Sequence, residues 1–318
     1  MSDTPIHQNT AERIAGGLWG LLVGDALGVP YEFHEPEAIP GPEQIEFVPP
    51  AGFKRAHTGT APGTWSDDGA HALCLLASLL EKGRLDPEDL MTRLSQWYET
   101  GYLAVDGKVF DVGIQTTRAL QAFRKGTPAL EAGPCGSGDN GNGSLMRVLP
   151  LALWHQGSDA ELVAAARLQS RVTHGHLRAQ LCCALYCLWA RHILANAPDP
   201  WAAAVQTLRE LCPEGSPEQA ELEFYLRPDE DLPGKGTGYV VDCLRSARQV
   251  LRLGDYETVV KSAIRLGHDT DTTACVTGGL AGLRDGIEGI PARWRQALRG
   301  QELFQPLLEA LLDLRSRE

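Results

Sequence analysis

Apolar residues three and four positions apart recur along almost the whole chain. Ile14, Leu18, Leu21 and Leu22 form one such stripe. Others run through Leu90, Leu94 and Trp97, Val112 to Phe123, Leu162 to Leu168, Leu177 to Leu194, Val240 to Leu253, Val259 to Leu266, Trp294 to Leu298 and Leu303 to Leu314. This spacing stacks apolar side chains on one face of a helix, so each segment is predicted helical. Leu181 to Trp189 is apolar on most faces and reads as a central buried helix. Period-two alternation, the mark of a half-buried strand, is nearly missing, and Gln44 to Val48 is the one weak strand candidate. No repeat of solenoid length emerges. The expectation is an all-α protein.

A chain of 318 residues can make two domains or one large one. No Pro/Gly/Ser-rich linker divides it. Glu214 to Gly238 is acidic and proline-punctuated between helical stretches, and reads as a loop-like insertion in a single domain spanning residues 1–318. The net charge of −12 excludes nucleic-acid binding by general electrostatics, because no basic stripe is available to displace counterions. An anionic substrate needs local positive groups instead. The eight cysteines include no C-x-x-C pair, and Cys182, Cys183 and Cys187 share one apolar helix as small hydrophobes, which fits reduced thiols. The first ten residues lack the basic and apolar parts of a signal peptide, and the apolar run Leu181 to Ala190 is too short to cross a bilayer. A soluble cytoplasmic protein with no membrane partner is expected.

Two clusters carry the chemistry: Ser66-Asp67-Asp68 and Asp269-Thr270-Asp271-Thr272, more than two hundred positions apart. Each stands where a loop becomes a helix. The first follows Gly59 to Gly63 and precedes the stripe Leu73, Leu76, Ala77 and Leu80, which Gly83 stops; the second follows Gly267-His268 and opens a run that reaches Gly286. Ser, Thr and Asp at such places are ordinary helix caps. A cap needs a single acceptor, however, and paired acids repel unless a cation neutralises them. Carboxylates and hydroxyls are oxygen ligands that suit a hard cation such as Mg2+ or Mn2+.

Gly136-Ser137-Gly138-Asp139-Asn140-Gly141 matches G-x-G-x-x-G, but helical periodicity and a Gly133-Pro134 turn precede it where a dinucleotide fold needs a strand. The loop can still cradle a phosphate through backbone N–H groups, with Arg147 as a nearby positive charge. A plain surface loop has the same composition.

Six motifs occur in order: Gly24-Asp25-Ala26-Leu27-Gly28 with Glu32; Trp65 to Asp68; Phe110-Asp111-Val112-Gly113; Gly141 to Arg147; Thr173-His174; and Gly267 to Thr272. Together they resemble the ADP-ribosylglycohydrolase family, and within it the dinitrogenase reductase activating glycohydrolases. The resemblance covers roughly residues 12–298, and Gly286 to Pro291 with Trp294 also fits it. It implies a compact, single-domain, orthogonal helical bundle that binds two Mg2+ or Mn2+ ions and removes ADP-ribose from modified side chains or related conjugates. The implied metal ligands are Ser66, Asp67, Asp68, Asp269, Asp271 and Thr272. Asp67, Asp68, Glu32 and Asp111 are the implied catalytic residues, with Asp111 matching the aspartate that faces the guanidinium in arginine-specific members. The implied substrate-binding set is Gly138, Asn140, Gly141, Asn142, Gly143, Ser144, Met146, Arg147 and His174. Ser66 and Gly69 stand where threonines are usual, which bears on metal tuning.

The implied reaction is hydrolysis of an N-glycosidic bond through an oxocarbenium-like transition state. The expected partner is an ADP-ribosylated protein or a small ADP-ribose conjugate. Two rivals are hydrolysis of O-linked conjugates such as ADP-ribosyl-serine or O-acetyl-ADP-ribose, and a non-catalytic, crystallin-like member. Asp111 weighs against the first, because a guanidinium calls for a carboxylate. The intact acids weigh against the second. A Zn site on Thr173-His174-Gly175-His176 lacks further ligands at suitable spacing.

Overall fold

Two glycine-bearing helices lie against each other at the centre of the molecule and set the frame for the rest. In the computed structural model, which describes residues 4–317, the N-terminal helix Thr4–Gly28 packs more extensively against the Thr270–Asp285 helix than any other two elements do. Gly16, Gly20, Gly24 and Gly28 recur every fourth residue and so lie on one face. A Cβ on any of them would come within 3.0 Å of backbone of the partner helix: Gly282 O, Gly278 O, Ala274 O and Thr270 O respectively. Only hydrogen atoms fit there, so backbone meets backbone. The seam is cross-linked by the Thr270 hydroxyl, which donates to Gly28 O at 2.8 Å. Tyr256, at the start of the preceding helix Tyr256–Ile264, donates to Gly20 O at 2.8 Å.

Every residue from Arg13 to Glu32 is buried. The segment Thr10–Tyr31 is long and apolar enough to cross a membrane by length and composition, a feature that the shorter Leu181 to Ala190 run does not share, yet from Arg13 onward all of it is packed inside the protein. The Leu177–Leu194 helix is buried from Arg178 to Ala190, as its all-round apolarity predicts. Its Tyr186 donates to Val276 O at 2.8 Å, and Arg13 satisfies its terminal carbonyls at Ile193 (2.6 Å) and Leu194 (3.1 Å). Buried apolar side chains form one continuous cluster from Ile14 to Leu311. Among the described residues there are fifteen α-helices and no strand, so the fold is all-α, as the periodicity predicts.

Three local expectations are corrected. Gln44 to Val48 is not a strand: Pro42–Gln44 is a 3₁₀ turn, and the N–H and C=O of Glu46 are both taken by the Tyr31 hydroxyl at 3.1 and 2.9 Å. Ile45 and Phe47 are buried, which produces the alternation without a neighbouring strand. The expected loop 214–238 is partly helical, with Pro217–Ala220 continuing into a π-helical turn, Glu221–Leu226, whose Leu222 and Leu226 are buried. The helix after Asp111 runs Ile114–Arg124 and starts behind Gly113, so Val112 lies outside it.

Gly24→Ala should lower stability by about 3 kcal/mol or more, since the methyl group forces two backbones apart. Gly59→Ala, where nothing lies within 4 Å of the added atom, should change it by less than about 0.5 kcal/mol. Thermal unfolding of both variants checks this, and equal midpoints would show that the seam yields.

Candidate active site

The Asp67–Lys82 helix begins with Ser66 as its cap, whose hydroxyl accepts from Asp68 N–H at 3.3 Å and donates to Asp68 Oδ2 at 3.2 Å. Gly83, in the left-handed region at φ 62°, ends it. The helix start is held from below by Asp25 on the N-terminal helix. This fully buried carboxylate accepts from Ser66 N–H at 3.0 Å and Gly69 N–H at 2.7 Å. Burial raises the Asp25 pKa to about 7 despite those bonds. Its role is to position the first cluster, and its presence in the Gly24-Asp25-Ala26-Leu27-Gly28 motif was the sequence signal for it.

The second cluster opens the Thr270–Asp285 helix. Asp269 N–H donates to Gly236 O at 2.9 Å, and its carboxylate accepts from Asn142 Nδ2 at 2.8 Å. Asp271 Oδ1 accepts from Thr272 N–H at 2.9 Å. The Thr272 hydroxyl donates to Asp68 Oδ2 at 3.4 Å, so the two clusters touch across 204 residues of chain. Asp67, Asp68, Asp271 and Thr272 are buried, and Asp269 is half-buried.

Asp67, Asp68, Asp269 and Thr272 face a cleft of about 440 Å3 that also exposes Glu32, Phe33, Asp111, Ile114, Gln115, Thr116, Asn142 and His174, whereas Ser66 and Asp271 are not part of its lining. Glu32 accepts from or donates to His57 Nε2 at 2.6 Å. Burial, then the charges of Asp111, Asp269 and Asp68, push the Glu32 pKa up to about 10. His57 is shifted down by burial and by Arg55. Asp111 is raised to about 6 by burial and by Asp269. His57 was missed in the sequence, because a lone histidine in a loop at 49–66 carries no periodic or motif signal. Phe33, His57, Asp111 and His268, none of them glycine, all have positive φ, at 62°, 48°, 51° and 57°. Each such residue costs of order 1–3 kcal/mol and persists only where its surroundings fix it.

The expected substrate loop divides. Gly141, Asn142, Gly143, Met146 and His174 line the cleft. Gly141 N–H donates to Gln115 Oε1 at 2.6 Å and Asn142 N–H to Gly238 O at 3.0 Å, so those donors are already used. His174 packs so closely under Gly143 that a Cβ there would lie 2.8 Å from its ring. Its Nδ1 bonds the Thr173 hydroxyl at 2.8 Å, and burial followed by the Arg147 charge lowers its pKa to about 3, so it is neutral. Gly138, Asn140, Ser144 and Arg147 are not among the residues that line the cleft. Gly138 is exposed away from it, and Asn140 turns back to Ser137 O at 2.9 Å. The Ser144 hydroxyl is buried against Ser170 at 2.8 Å. Arg147 is fully buried, with Nε on Gln169 Oε1 at 3.0 Å and Nη2 on Gln169 O at 2.7 Å, and it braces the loop from beneath.

The donor set fits divalent cations. Asp68 Oδ1 and Asp271 Oδ2 are buried with no hydrogen-bond partner, an arrangement that a buried carboxylate does not sustain without compensation. Burial, and then the neighbouring acids, raise Asp67, Asp68 and Asp271 well above the usual carboxylate range. Among the described residues none of these acids has an ion-pair partner within the salt-bridge distance of 4.0 Å. Carboxylate oxygens of Glu32, Asp269 and Asp271 lie within 4.8 Å of one another, as do ligand atoms of Glu32, His57 and Asp111.

Known proteins resemble this chain along nearly its whole length. ADP-ribosylarginine hydrolase Tri1 of Pseudomonas putida is 29% identical over 96% of this chain and 79% of its own. The ADP-ribosyl-[dinitrogen reductase] glycohydrolase of Rhodospirillum rubrum is 28% identical over 95% and 96%, and human ADP-ribosylhydrolase ARH3 is 24% identical over 94% and 92%. A solved structure described as an ADP-ribosylglycohydrolase-related protein complex superposes with a TM-score of 0.77 at 31% identity, covering 96% of this chain and 99% of that one. The family model described as ADP-ribosylglycohydrolase matches residues 6–318. With two acidic clusters meeting beside a glycine-rich loop in an all-α frame, the chain belongs to the ADP-ribosylglycohydrolase family of hydrolases.

Proposed function

We propose that the protein is a metal-dependent hydrolase that removes ADP-ribose from N-linked ADP-ribosyl-arginine on protein. The observation that carries this reading is the convergence of the two acidic clusters and Asp111 on one cleft. Support comes from two relatives whose names specify ADP-ribosylarginine and ADP-ribosylated dinitrogen reductase. Ser66, Asp67, Asp68, Asp269, Asp271 and Thr272 would hold two Mg2+ or Mn2+ ions, matching the oxygen-only donor set. Bound there, such ions supply charge neutralisation and Lewis-acid polarisation at the ribose.

The chain's own residues do the rest. The bond that breaks joins the anomeric carbon of the distal ribose to a guanidine nitrogen, and water supplies the new oxygen. Asp67 or Asp68 takes the proton lost by that water, since both face the cleft from the helix start that Asp25 fixes. Asp111 pairs with the substrate guanidinium and orients it; as the C–N bond breaks its electron pair goes to the guanidine nitrogen, which takes up a proton equivalent to the one lost by the water, so arginine leaves as a cation that stays paired with Asp111. The Gly143 backbone and neutral His174 take the diphosphate and ribose side of the cleft. A serine conjugate leaves as an alcohol and an acetyl conjugate as acetate, and neither offers Asp111 a cation, which favours the arginine reading over both.

Asp111→Asn tests the leaving-group role, and asparagine also tolerates the left-handed backbone found there. The turnover of ADP-ribosyl-arginine should fall by roughly 30- to 1000-fold, with ADP-ribose affinity near the parent value. An active variant that merely unfolds earlier would reduce Asp111 to a structural residue.

Divalent ions should stabilise the protein, and by more at pH 8 than at pH 6. The buried acids have raised pKa values, so their contribution to stability is present below the unfolded carboxylate pKa and is lost as pH rises through the folded value. Ions replace the protons and cancel that loss. The unfolding midpoint with and without Mg2+ or Mn2+ measures the gain, which should shrink in Asp68→Asn and Asp271→Asn. A gain that is independent of pH and of both substitutions would remove the ions from these clusters.

A further inference from the structure

The leaving group of the proposed reaction is attached to a polypeptide, and its short aliphatic stem keeps that polypeptide at the mouth of the cleft beside Asp111. Two large apolar side chains stand there. Phe33 directly follows Glu32 and is 71% exposed; Ile114 follows Asp111 by three residues and is 72% exposed; both line the cleft. The His57 ring bridges the two sides, 5.6 Å from the Phe33 ring and 5.1 Å from that of Phe110, the neighbour of Asp111.

A single exposed apolar residue is ordinary. Phe33 is not ordinary, because a bulky residue in the left-handed region is a genuine conformational outlier. It is held by a reciprocal backbone pair: Phe33 N–H donates to His268 O at 2.7 Å, and His268 N–H donates to His34 O at 2.7 Å. That pair ties the Glu32 loop to the Asp269 loop and needs only backbone, so glycine or asparagine would make the same turn with less strain. Nothing in the core uses the aromatic ring, which points out beside the acids.

We propose that Phe33 and Ile114 form an apolar clamp on the target polypeptide, seating an aliphatic or aromatic residue next to the modified arginine. The inference rests on the arginine reading given above and adds the partner's local sequence to it. Three probes test it: free ADP-ribosyl-arginine, a short ADP-ribosyl-arginine peptide with leucine on both sides of the modified residue, and the same peptide with serine there. The parent protein should show kcat/KM about tenfold higher for the leucine peptide than for the serine peptide, the amount expected from burying one such side chain. Phe33→Asn and Ile114→Ser should each erase most of that preference, while kcat/KM on the free conjugate stays within about twofold. Phe33→Asn keeps the backbone conformation, so it should fold at least as stably as the parent. Equal rates on the two peptides in the parent, or a parallel loss on all three probes in the variants, would overturn the clamp and leave the arginine reading standing. A parent that binds ADP-ribose but cleaves none of the three would sink the arginine reading, and the clamp with it.

Discussion

Backbone touches backbone where the N-terminal helix meets the Thr270–Asp285 helix, and the catalytic geometry depends on that contact. Glycines at positions 16, 20, 24 and 28 bring the helices to the closest approach that two helices allow. The consequence is positional. Asp25 lies inside the seam and aims at the start of the Asp67–Lys82 helix, Glu32 lies just beyond its end, and Asp271 sits directly over Gly28. Three of the four segments that carry acids are therefore indexed to a single rigid pair of helices, and the fourth, around Asp111, leans in from a strained loop.

That rigid frame holds like charges together against their repulsion. Asp67, Asp68, Asp271 and Glu32 are all buried, all raised by burial and by one another, and two of their oxygens have no partner. In an ordinary core such a cluster would be among the least stable features of the fold. Here the helix starts donate backbone N–H groups to some of the carboxylates, Thr272 links the clusters, and Glu32, Asp67, Asp68 and Asp269 line one cleft. Holding like charges together in this way costs stability.

Much of this was legible in the sequence. Three-four periodicity located the helices, because their apolar faces pack on one core, and doubled acids at two helix starts stood out from ordinary caps. What failed did so for local reasons. Residues 44–48 alternate in burial without pairing, since the Tyr31 hydroxyl takes the backbone groups a strand would use. The burial of Arg147, whose guanidinium Gln169 holds from below, is a tertiary contact that spacing cannot reveal. His57 gave no signal because its partner, Glu32, is 25 residues away in a different loop. The glycines at 16, 20, 24 and 28 recur every fourth residue, but without side chains they add nothing to the apolar stripe that marks a helix face.

The seam also has a bearing on how the molecule comes to exist. Its halves are separated by 242 residues at the Thr270–Gly28 contact. A ribosome makes the apolar window Thr10–Tyr31 early, and the helix that covers it emerges only after most of the chain. Until then a segment with the length and apolarity of a membrane span has no glycine face to dock on, and its closure is a long-range event of the slow kind. Chaperone demand and aggregation during synthesis should therefore concentrate on this helix, while the enzyme's chemistry switches on only when the last third of the chain arrives.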